Sequence, residues 1–474
     1  MNFDGYDVVP VVRELSADAI TPVAAFAALS DEGTEAFLFE SVERGENVGR
    51  YSFVGFDPRR SLRFDQATPD PVKTLNEELR PLRVYNEAAL PPFFGGAVGF
   101  FGYGVAGWSE RIPDSHRDGG SIPDARLLFF DNVVVFDHVK QKLYVIANLF
   151  TADANASLDA ANERLDRAIA RLRRAGIELL AFPQQPEPVE LEASMDRESF
   201  ERMVREAKEE IVAGEIFQIV LSQRWSTEFD PKDALTLYRA LRSINPSPYM
   251  FLLRTAECTL VGASPEMLVR VTGDVVEARP IAGTLPRGAT RQADLELEQR
   301  LVADPKERAE HLMLVDLGRN DLGRVCAGGS VEVGNFCYVE RYSHVMHLVT
   351  DVRGRLREGR TPVDAFLSAF PAGTLSGAPK IRAMELIDRL ENVRRGPYGG
   401  AVAYFSFSGN LDSCITIRTI VLADGRAYIQ AGAGIVYDSV PSSEYDECVN
   451  KSMALRKAIA MARSARAPTP RAPA

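Results

Sequence analysis

The spacing of apolar residues along the chain predicts a mixture of short strands and amphipathic helices. In the N-terminal third, apolar runs at residues 36–40, 51–56, 127–136 and 142–148 are separated by turn-rich stretches. Strands that follow one another through turns favour an antiparallel sheet over alternating β-α units. We therefore predict an antiparallel sheet in this part of the chain.

Apolar and alanine positions at helical spacing then predict a helix over residues 155–175. The proline-rich stretch that follows is the best candidate for a domain boundary, because proline interrupts both helices and strands. We predict an N-terminal domain over residues 1–185, a second domain over 194–463 and a disordered tail over 464–474, where alanine and proline dominate.

The second of these segments combines both kinds of pattern. Helical spacing occurs at residues 196–214, 305–317 and 442–462, and strand-like runs occur at 215–225, 248–253, 261–287 and 395–436. The larger part of the chain is therefore predicted to contain sheets as well as helices.

Length and composition narrow the possible classes of protein. At 474 residues the chain exceeds the size at which a single core stops growing. Its net charge is −11, and no stretch combines clustered Lys and Arg with aromatic residues, so nucleic acid is not expected as a partner. The five cysteines show no C-x-x-C pair, which favours reduced thiols and a cytoplasmic location. No apolar run approaches the roughly 18 residues of a membrane span, and the N-terminus is acidic, so we expect neither a membrane protein nor a secreted one.

A pair of glutamates three residues apart, Glu307 and Glu310, belongs to the predicted helix at 305–317. Asp304 can cap this helix, and Glu307 stands where the partner of a capping box belongs. Glu310 shares a helical face with Met313 and its apolar neighbours, so its carboxylate should lie at the edge of a buried region. A half-buried carboxylate needs a cation or hydrogen-bond donors.

The last predicted helix carries a second pair, Glu444 and Glu447, on the same face as Lys451. One interpretation is an exposed Glu–Lys pair, which contributes only about 0.2–0.5 kcal/mol. If this face met the first glutamate pair, four carboxylates would converge, and their repulsion would demand a hard divalent cation such as Mg²⁺. The spacing alone leaves both interpretations open.

Several longer motifs occur in order along the chain. They are LFES (38–41), GRYSFVG (49–55), GEIFQIVLSQR (214–224), NPSPYMF (245–251), GASPEML (262–268), RPIAGT (279–284), KERAEHLMLVDLGRND (306–321), FPAGTLSGAPK (370–380), RGPYGGAV (395–402) and AGAGIV (431–436). With these motifs the chain resembles the chorismate-utilising enzymes, and specifically the large, ammonia-using subunit of anthranilate synthase. The resemblance extends over nearly the whole chain.

The resemblance implies an α+β fold with two large antiparallel β-sheets wrapped by helices. It implies a lyase that converts chorismate and ammonia to anthranilate and pyruvate, the first step of tryptophan biosynthesis. It further implies Mg²⁺ as cofactor, a separate glutamine amidotransferase subunit that supplies the ammonia, and feedback inhibition by L-tryptophan. A hetero-oligomer is therefore expected.

The resemblance also assigns roles around the metal and the substrate. Glu310 and Glu447 match the magnesium ligands, with Glu307 and Glu444 close by. The residues that match substrate-binding positions are Gln218, Ala282, Gly283, Tyr398, Arg418, Gly432, Ala433, Gly434 and Lys451. Among these, Arg418 suits a carboxylate because a guanidinium pairs with it bidentately, and the glycines allow backbone N–H groups to approach an anion closely.

Three residues match positions close to the reacting bonds. Glu266 matches the general acid that protonates the departing 4-hydroxyl, and a poorly polar pocket would help it to keep its proton. His347 matches a histidine near the reacting ring, although a lone histidine in an apolar stretch is more often structural. Thr284 matches a hydroxyl that contacts the substrate.

Two positions indicate which reaction the chain performs. In relatives that add water, a lysine acts as base at the position of Gln218, and in aminodeoxychorismate synthases a lysine nucleophile commonly stands at the position of Ala282. Gln and Ala at these positions favour direct addition of ammonia. A phenazine-type 2-amino-2-deoxyisochorismate synthase and a 4-amino-4-deoxychorismate synthase component I remain the alternatives, and a catalytically silent chorismate-binding module is the rival from another class.

Two further segments match the site at which the family binds tryptophan. The matching residues are Glu40, Ser41, Arg50, Pro248, Tyr249 and Met250. The proline-rich half of this set can also be explained as a rigid turn that leads into a strand. We expect the inhibitor site because both halves are present.

Overall fold

Hydrogen-bond caps and apolar stripes define ten α-helices in the described part of the chain. The structure is a computed structural model that describes residues 3–41, 49–65, 67–116, 121–288, 290–341 and 345–465, so residues 466–474 of the predicted tail lie outside it. The helices are α1 Pro22–Leu29, α2 Pro71–Glu78, α3 Leu158–Arg173, α4 Arg197–Val212, α5 Ala234–Ile244, α6 Arg291–Ala303, α7 Pro305–Gly323, α8 Pro362–Ala369, α9 Lys380–Leu390 and α10 Pro441–Arg463.

The helix ends follow from local sequence. The side chain of Ser157 accepts a hydrogen bond from an N–H group in the first turn of α3, and Asp196 does the same for α4. Thr361 and Asp364 form a complete capping box at the start of α8. No helix in the described part of the chain is both long enough and apolar enough to cross a membrane.

The strands are short and run antiparallel within their sheets. They are β1 Val8–Ser16, β2 Ala36–Glu40, β3 Tyr51–Phe56, β4 Arg60–Phe64, β5 Gly96–Phe101, β6 Ala125–Phe130, β7 Asn132–Asp137, β8 Lys142–Phe150, β9 Glu192–Ala193, β10 Gln218–Glu228, β11 Tyr249–Arg254, β12 Thr259–Ser264, β13 Met267–Thr272, β14 Val275–Ala278, β15 Ile281–Pro286, β16 Glu332–Val333, β17 Tyr338–Arg341, β18 Val345–Val349, β19 Val352–Arg355, β20 Gly377–Ala378, β21 Ala401–Ser406, β22 Leu411–Ile415, β23 Thr419–Ala423 and β24 Arg426–Ile435.

These strands form two large sheets and one small sheet. The first sheet has the order β1-β8-β7-β3-β2-β11-β12-β23-β24-β10-β20, with β9 paired to β10. The second has the order β16-β19-β14-β13-β22-β21-β5-β6-β4, and the third has the order β15-β18-β17. Two large antiparallel sheets with surrounding helices confirm the predicted α+β fold.

Both large sheets draw strands from both halves of the chain. In the first sheet β2 pairs with β11, so that Leu38 lies opposite Leu252. In the second sheet β5 pairs with β21, so that Val98 lies opposite Tyr404. The segments before and after the proline-rich connector are thus joined by strand pairing, and the division into domains at 1–185 and 194–463 stays a prediction.

The core follows from the alternation of side chains along the strands. Phe37 of β2 and Phe251 of β11 share an aromatic cluster with Phe100 of β5, which belongs to the other large sheet, so the two sheets face each other there. The neighbouring residues Leu38 and Leu252 point the opposite way, into a core covered by helices that include α3, α5 and α10. Each large sheet therefore buries the face that packs against the other large sheet.

Most predicted elements are confirmed, and the differences have physical reasons. The predicted strands at 36–40 and 51–56 are β2 and β3. The single run at 127–136 is divided by Asp131 into β6 and β7, two strands of different sheets. Four helices in the C-terminal segment were not predicted, namely α5, α6, α8 and α9. The apolar residues of α5 and α9 do recur on one face, so their pattern was present in the sequence, whereas α6 is only weakly amphipathic.

Candidate active site

A cavity of about 800 Å³ lies between the ends of β10 and β24 and the helices α7 and α10. Eleven of the residues predicted for the site line it: Gln218, Glu266, Glu307, Glu310, Tyr398, Arg418, Gly432, Gly434, Glu444, Glu447 and Lys451. These residues come from seven separate stretches of the sequence. The fold therefore gathers most of the predicted substrate, acid and metal groups in one place.

Helix α7 presents the first glutamate pair to this cavity. Its N-cap is Asp304, whose carboxylate accepts hydrogen bonds from the backbone N–H groups of Lys306 and Glu307, as predicted. The side chains of Glu307 and Glu310 both line the cavity. Burial raises the pKa of Glu307, and the nearby charges of Glu310 and Asp304 raise it further. The glutamate face of this helix is thus turned inward and is not a solvated surface.

Helix α10 presents the second pair from the other side. Lys451 Nζ lies 2.6 Å from Glu447 Oε1 and donates a hydrogen bond to the Gly432 carbonyl at 2.9 Å. Burial raises the pKa of Glu444, with a further contribution from the charge of Glu447. The i,i+4 Glu–Lys pair predicted as the simple interpretation is therefore present, but it stands in the cavity wall.

The donor chemistry of the cavity fits a hard divalent cation. In the described part of the chain, no group of three or more His, Cys, Asp or Glu side chains is arranged closely enough to enclose a metal ion. Mg²⁺ does not need such a cage, because it commonly binds one or two carboxylates together with waters and substrate oxygens. The four glutamates of α7 and α10 offer only oxygen donors, and a bound cation would relieve the repulsion within each pair.

Glu266 is the acid of the cavity. It lies directly before β13, and the hydroxyl of Thr374 donates a hydrogen bond to its Oε1 at 3.0 Å. Burial raises the pKa of Glu266 to about 7, against the lowering effects of Thr374 and the charge of Lys451. This carboxyl group can therefore hold a proton at neutral pH, as expected for a general acid.

Cationic and small residues face Glu266 across the cavity. The Arg418 guanidinium and the Lys451 ammonium both line it, and Arg418 donates to the Lys451 carbonyl. A Cβ atom at Gly432 would lie 2.8 Å from the hydroxyl of Tyr398, and one at Gly434 would lie 2.9 Å from Gln218 Nε2. Gly432 requires glycine because the backbone oxygen of Leu221 also lies 2.8 Å from that position, whereas at Gly434 the Gln218 side chain could move aside. The side chain of Ala433, between them, is buried in the core on the opposite face.

The small sheet carries the remaining predicted residues. Ala282, Gly283 and His347 do not occur in the described lining of the cavity. Gly283 has φ +60° and lies against α7, since a Cβ atom there would be 3.0 Å from Glu307 Oε2. Thr284 pairs with His347 through the backbone, and its side chain lies outside the described structure. The site roles of these four residues stay predictions.

The environment of His347 defines its protonation. Its Nδ1 lies 3.1 Å from the carbonyl oxygen of Gly283, which can only accept, so Nδ1 carries the hydrogen. Burial lowers the pKa of His347, and the charge of Arg418 lowers it further. The lowered pKa favours the neutral form of this imidazole.

Several cavity residues were not singled out from the sequence, among them Lys306, Thr374 and Gln430. Thr374 belongs to the FPAGTLSGAPK motif, but its importance appears only once it contacts Glu266. Gln430 precedes Gly432 by two positions on β24, so the period-2 alternation of a strand could have placed it on the same face.

A second cavity, of about 290 Å³, lies where β2 meets β11 and the facing sheet. All six residues predicted for tryptophan binding line it: Glu40, Ser41, Arg50, Pro248, Tyr249 and Met250. Its other walls include Phe39, Phe53, Val402 and Tyr404, which are largely apolar. The two halves of the predicted motif are brought together because Glu40 and Met250 are directly paired across β2 and β11.

The charges of this second cavity are already paired. The Glu40 carboxylate accepts hydrogen bonds from Tyr238 at 2.5 Å and from Arg242 at 3.0 Å. The Arg50 guanidinium pairs with Asp137 at 3.0 Å. Both charged groups therefore have protein partners within the fold.

Comparison with known proteins defines the class. The family model described as chorismate binding enzyme matches residues 34–457. A structure of the menaquinone-specific isochorismate synthase from Escherichia coli has a TM-score of 0.73 over 96% of each chain, at 20% sequence identity. That likeness extends to the fold alone. The class of this protein is thus the chorismate binding enzymes.

More similar relatives specify the branch of this class. Anthranilate synthase component 1 of Acetivibrio thermocellus is 47% identical over 96% of both chains, and that of Thermus thermophilus is 45% identical over 96% of this chain and 98% of its own. The crystal structure of anthranilate synthase component I from Streptococcus pneumoniae has a TM-score of 0.78 at 36% identity, covering 93% of this chain and 99% of that one. This chain belongs to the anthranilate synthase component I family.

Proposed function

We propose that the chain is the large subunit of a magnesium-dependent anthranilate synthase, a lyase that converts chorismate and ammonia to anthranilate and pyruvate. Membership of the component I family supports this proposal. The observation that carries it is the position of Glu266, a carboxyl group whose pKa is raised to about 7, in one cavity with Arg418, Lys451 and Gln218.

The substrate is a dianion, and the cavity offers matching cations. Arg418 supplies a planar fork of donors for a carboxylate, and the hydroxyl of Tyr398 stands beside Gly432. Lys451 bridges Glu447 and the Gly432 carbonyl, so it links the anion-binding strand to the glutamate pair of α10. These groups orient chorismate so that its ring lies between Glu266 and the amide of Gln218.

The chemistry requires an acid and an ammonia nucleophile. Ammonia adds at C2 of the ring, the ring double bonds shift, and the 4-hydroxyl departs as water when Glu266 gives it a proton. Elimination of pyruvate with loss of the C2 proton then produces the aromatic ring. Gln218 lines the cavity where a lysine base would activate water, and an amide cannot take that role.

Glu310 and Glu447 would hold Mg²⁺, with Glu307 and Glu444 beside them, and the bound ion would neutralise the ring carboxylate of chorismate. The protein's own contribution is to keep four carboxylates on two helices that face the same space. Helix capping by Asp304 fixes the start of α7 and therefore the position of its pair.

The proposal includes a partner and an inhibitor. A separate glutamine amidotransferase subunit supplies ammonia, so the assembly is a hetero-oligomer. In this proposal L-tryptophan binds in the second cavity, with Glu40 facing its ammonium group, Arg50 its carboxylate and the apolar walls its indole ring. The presence of Glu40, Arg50 and apolar residues in the lining supports it. Its binding restrains the reaction of the cytoplasmic enzyme in proportion to the supply of tryptophan.

The purified chain, incubated with chorismate, MgCl₂ and ammonium chloride, should form anthranilate and pyruvate in equal amounts. Fluorescence measures the first and a coupled reductase assay the second. Glutamine should replace ammonium only when the amidotransferase subunit is present. An amino-dihydro acid without pyruvate would identify a phenazine-type synthase, and absence of any turnover would support a silent binding module. Pyruvate without anthranilate would contradict the proposal.

A further inference from the structure

The strand β24 turns an unassigned amide toward the active cavity. Gln430, Gly432 and Gly434 are two residues apart on this strand, so they share one face, and all three line the cavity. Ala433 and Ile435 alternate with them and are buried in the core. Gln430, which is 6% exposed, thus belongs to the wall of the active cavity, and it also lines a smaller neighbouring cavity of about 140 Å³.

A buried chain of hydrogen bonds determines which way this amide points. Arg395 and Glu391 form an ion pair at 2.6 Å, and both side chains are only 2% exposed. The hydroxyl of Ser222 lies 2.8 Å from Glu391 Oε1 and 2.8 Å from Gln430 Nε2. A carboxylate paired with arginine can only accept hydrogen bonds, so the single Ser222 proton is donated to Glu391. The Ser222 oxygen must then accept from Gln430.

These hydrogen bonds fix which end of the Gln430 carboxamide donates and which end accepts. Its NH₂ group is held by Ser222, and its carbonyl oxygen is left as the acceptor at the other end of the carboxamide. No hydrogen bond to this oxygen occurs within the described part of the chain. The carbonyl oxygen of Gln430 is therefore an oriented, uncharged acceptor in the cavity wall. Neither carboxylate of the substrate can form a hydrogen bond with it, because a carboxylate does not donate.

We propose that Gln430 binds the incoming ammonia, with its carbonyl oxygen accepting one N–H hydrogen bond while the nitrogen lone pair stays free to attack the ring. This inference rests on the proposed function. A carboxylate at the same place would favour ammonium, which has no lone pair, so an amide is the side chain that positions ammonia without protonating it. Ser222 is a positioning residue that acts through Gln430.

The test measures KM for ammonia and KM for chorismate separately, in wild type and in Gln430→Met, a variant of similar length without polar atoms. We expect KM for ammonia to rise by about tenfold, the loss of one hydrogen bond, and KM for chorismate to stay within about twofold. Ser222→Ala should raise KM for ammonia by a smaller factor. Gln430→Glu should move the pH at which ammonium salts support turnover to higher values.

Gln223 provides the matched control, because it is a buried glutamine of the same strand pair whose Nε2 donates to the Met195 carbonyl and which does not line the cavity. Gln223→Met should lower the melting temperature without changing the ratio of the two KM values.

Equal rises in both KM values for Gln430→Met would mean that Gln430 contacts a chorismate hydroxyl, and an unchanged KM for ammonia would equally overturn the inference. If Gln430→Met does not fold, Ser222→Ala and Gln430→Glu decide the matter by the same measurements. Failure of wild type to make anthranilate would refute the proposed function itself.

Discussion

The two cavities of this protein use charge in opposite ways. In the smaller cavity every charged group named above already has a partner, as with Glu40 and Arg242 or Arg50 and Asp137. In the larger one, burial raises the pKa values of Glu266, Glu307 and Glu444, which shows that their charges are only partly compensated. A prearranged cavity suits recognition of one small ligand. A cavity with uncompensated carboxylates suits a cation and a proton transfer.

The largest expected effect comes from removing the acid of the larger cavity. Glu266→Gln keeps the shape of the side chain but cannot donate the proton that the leaving hydroxyl needs, so kcat should fall by about 100- to 10,000-fold. Anthranilate fluorescence at saturating chorismate measures it. Glu277→Gln is the control, because Glu277 pairs with Arg353 outside the cavity. Retention of more than a tenth of the activity would exclude Glu266 as the general acid.

The next effect concerns the proposed cation. Chelation by EDTA should abolish turnover, and Glu447→Gln or Glu310→Gln should raise the concentration of Mg²⁺ needed for half-maximal rate by at least about tenfold. Titration of MgCl₂ at saturating chorismate gives this value. Glu385→Gln, which removes a surface pair with Arg382, should leave the requirement unchanged. An unaltered Mg²⁺ requirement in both cavity variants would argue against these ligands.

In the smaller cavity, Glu40→Gln should weaken tryptophan inhibition by about tenfold while kcat without tryptophan changes little, because the amide loses the charge that attracts an ammonium group. The tryptophan concentration that halves the rate is the readout, with the thermal shift on adding tryptophan as a second one. Glu35→Gln, next to the same strand but paired with Arg126, is the matched control. If Glu40→Gln lowers kcat as much as it weakens tryptophan inhibition, the two cavities do not have separate roles.

The raised pKa of Glu266 also has a consequence for stability. Its folded-state pKa of about 7 lies above the ordinary value of 4.5, so the neutral form is favoured by folding and the associated stability is lost as pH rises from about 4.5 to 7. Glu266→Gln should therefore gain stability relative to wild type between pH 5 and pH 8, by on the order of 1–2 kcal/mol. Urea unfolding at the two pH values tests this, and a difference that does not vary with pH would contradict it.

The smallest expected effect also concerns Glu266. Thr374 donates a hydrogen bond that lowers the pKa of Glu266, so Thr374→Val should raise that pKa and move the basic limb of kcat/KM to higher pH, by less than about one unit. Rates must be plotted against free NH₃, since ammonia itself ionises in this range. A shift to lower pH would mean that Thr374 does not act on Glu266 through this bond.

Much of the local structure could be predicted because its causes lie within a few residues. The alternation at 36–40 predicts β2, and Asp304 followed by Pro305 predicts the start of α7. The separation of 127–136 into strands of different sheets could not be predicted, because each strand is selected by partners far away in the chain. The same is true of α6, whose weakly amphipathic sequence is helical beside the small sheet.

The residues of the candidate site also fall into those that the sequence could indicate and those that only the structure reveals. The resemblance assigned Glu266, Arg418, Lys451 and the glutamate pairs to the site, and all of them line the larger cavity. It did not single out Gln430, Thr374 or Lys306, whose contacts depend on neighbours from other segments. The assignment of Ala433 stays a prediction, and its side chain packs in the core.

By itself, the sequence determined which residues can form helices and strands, where the helices start, and which chemical groups are available. Only the tertiary structure decided what those groups do. Glu266 has a raised pKa because distant segments bury it, and the Gln430 amide has one orientation because Glu391 and Arg395 are paired behind Ser222. Desolvation and hydrogen-bond direction depend on every neighbour in space, whereas propensities and caps depend on neighbours in sequence.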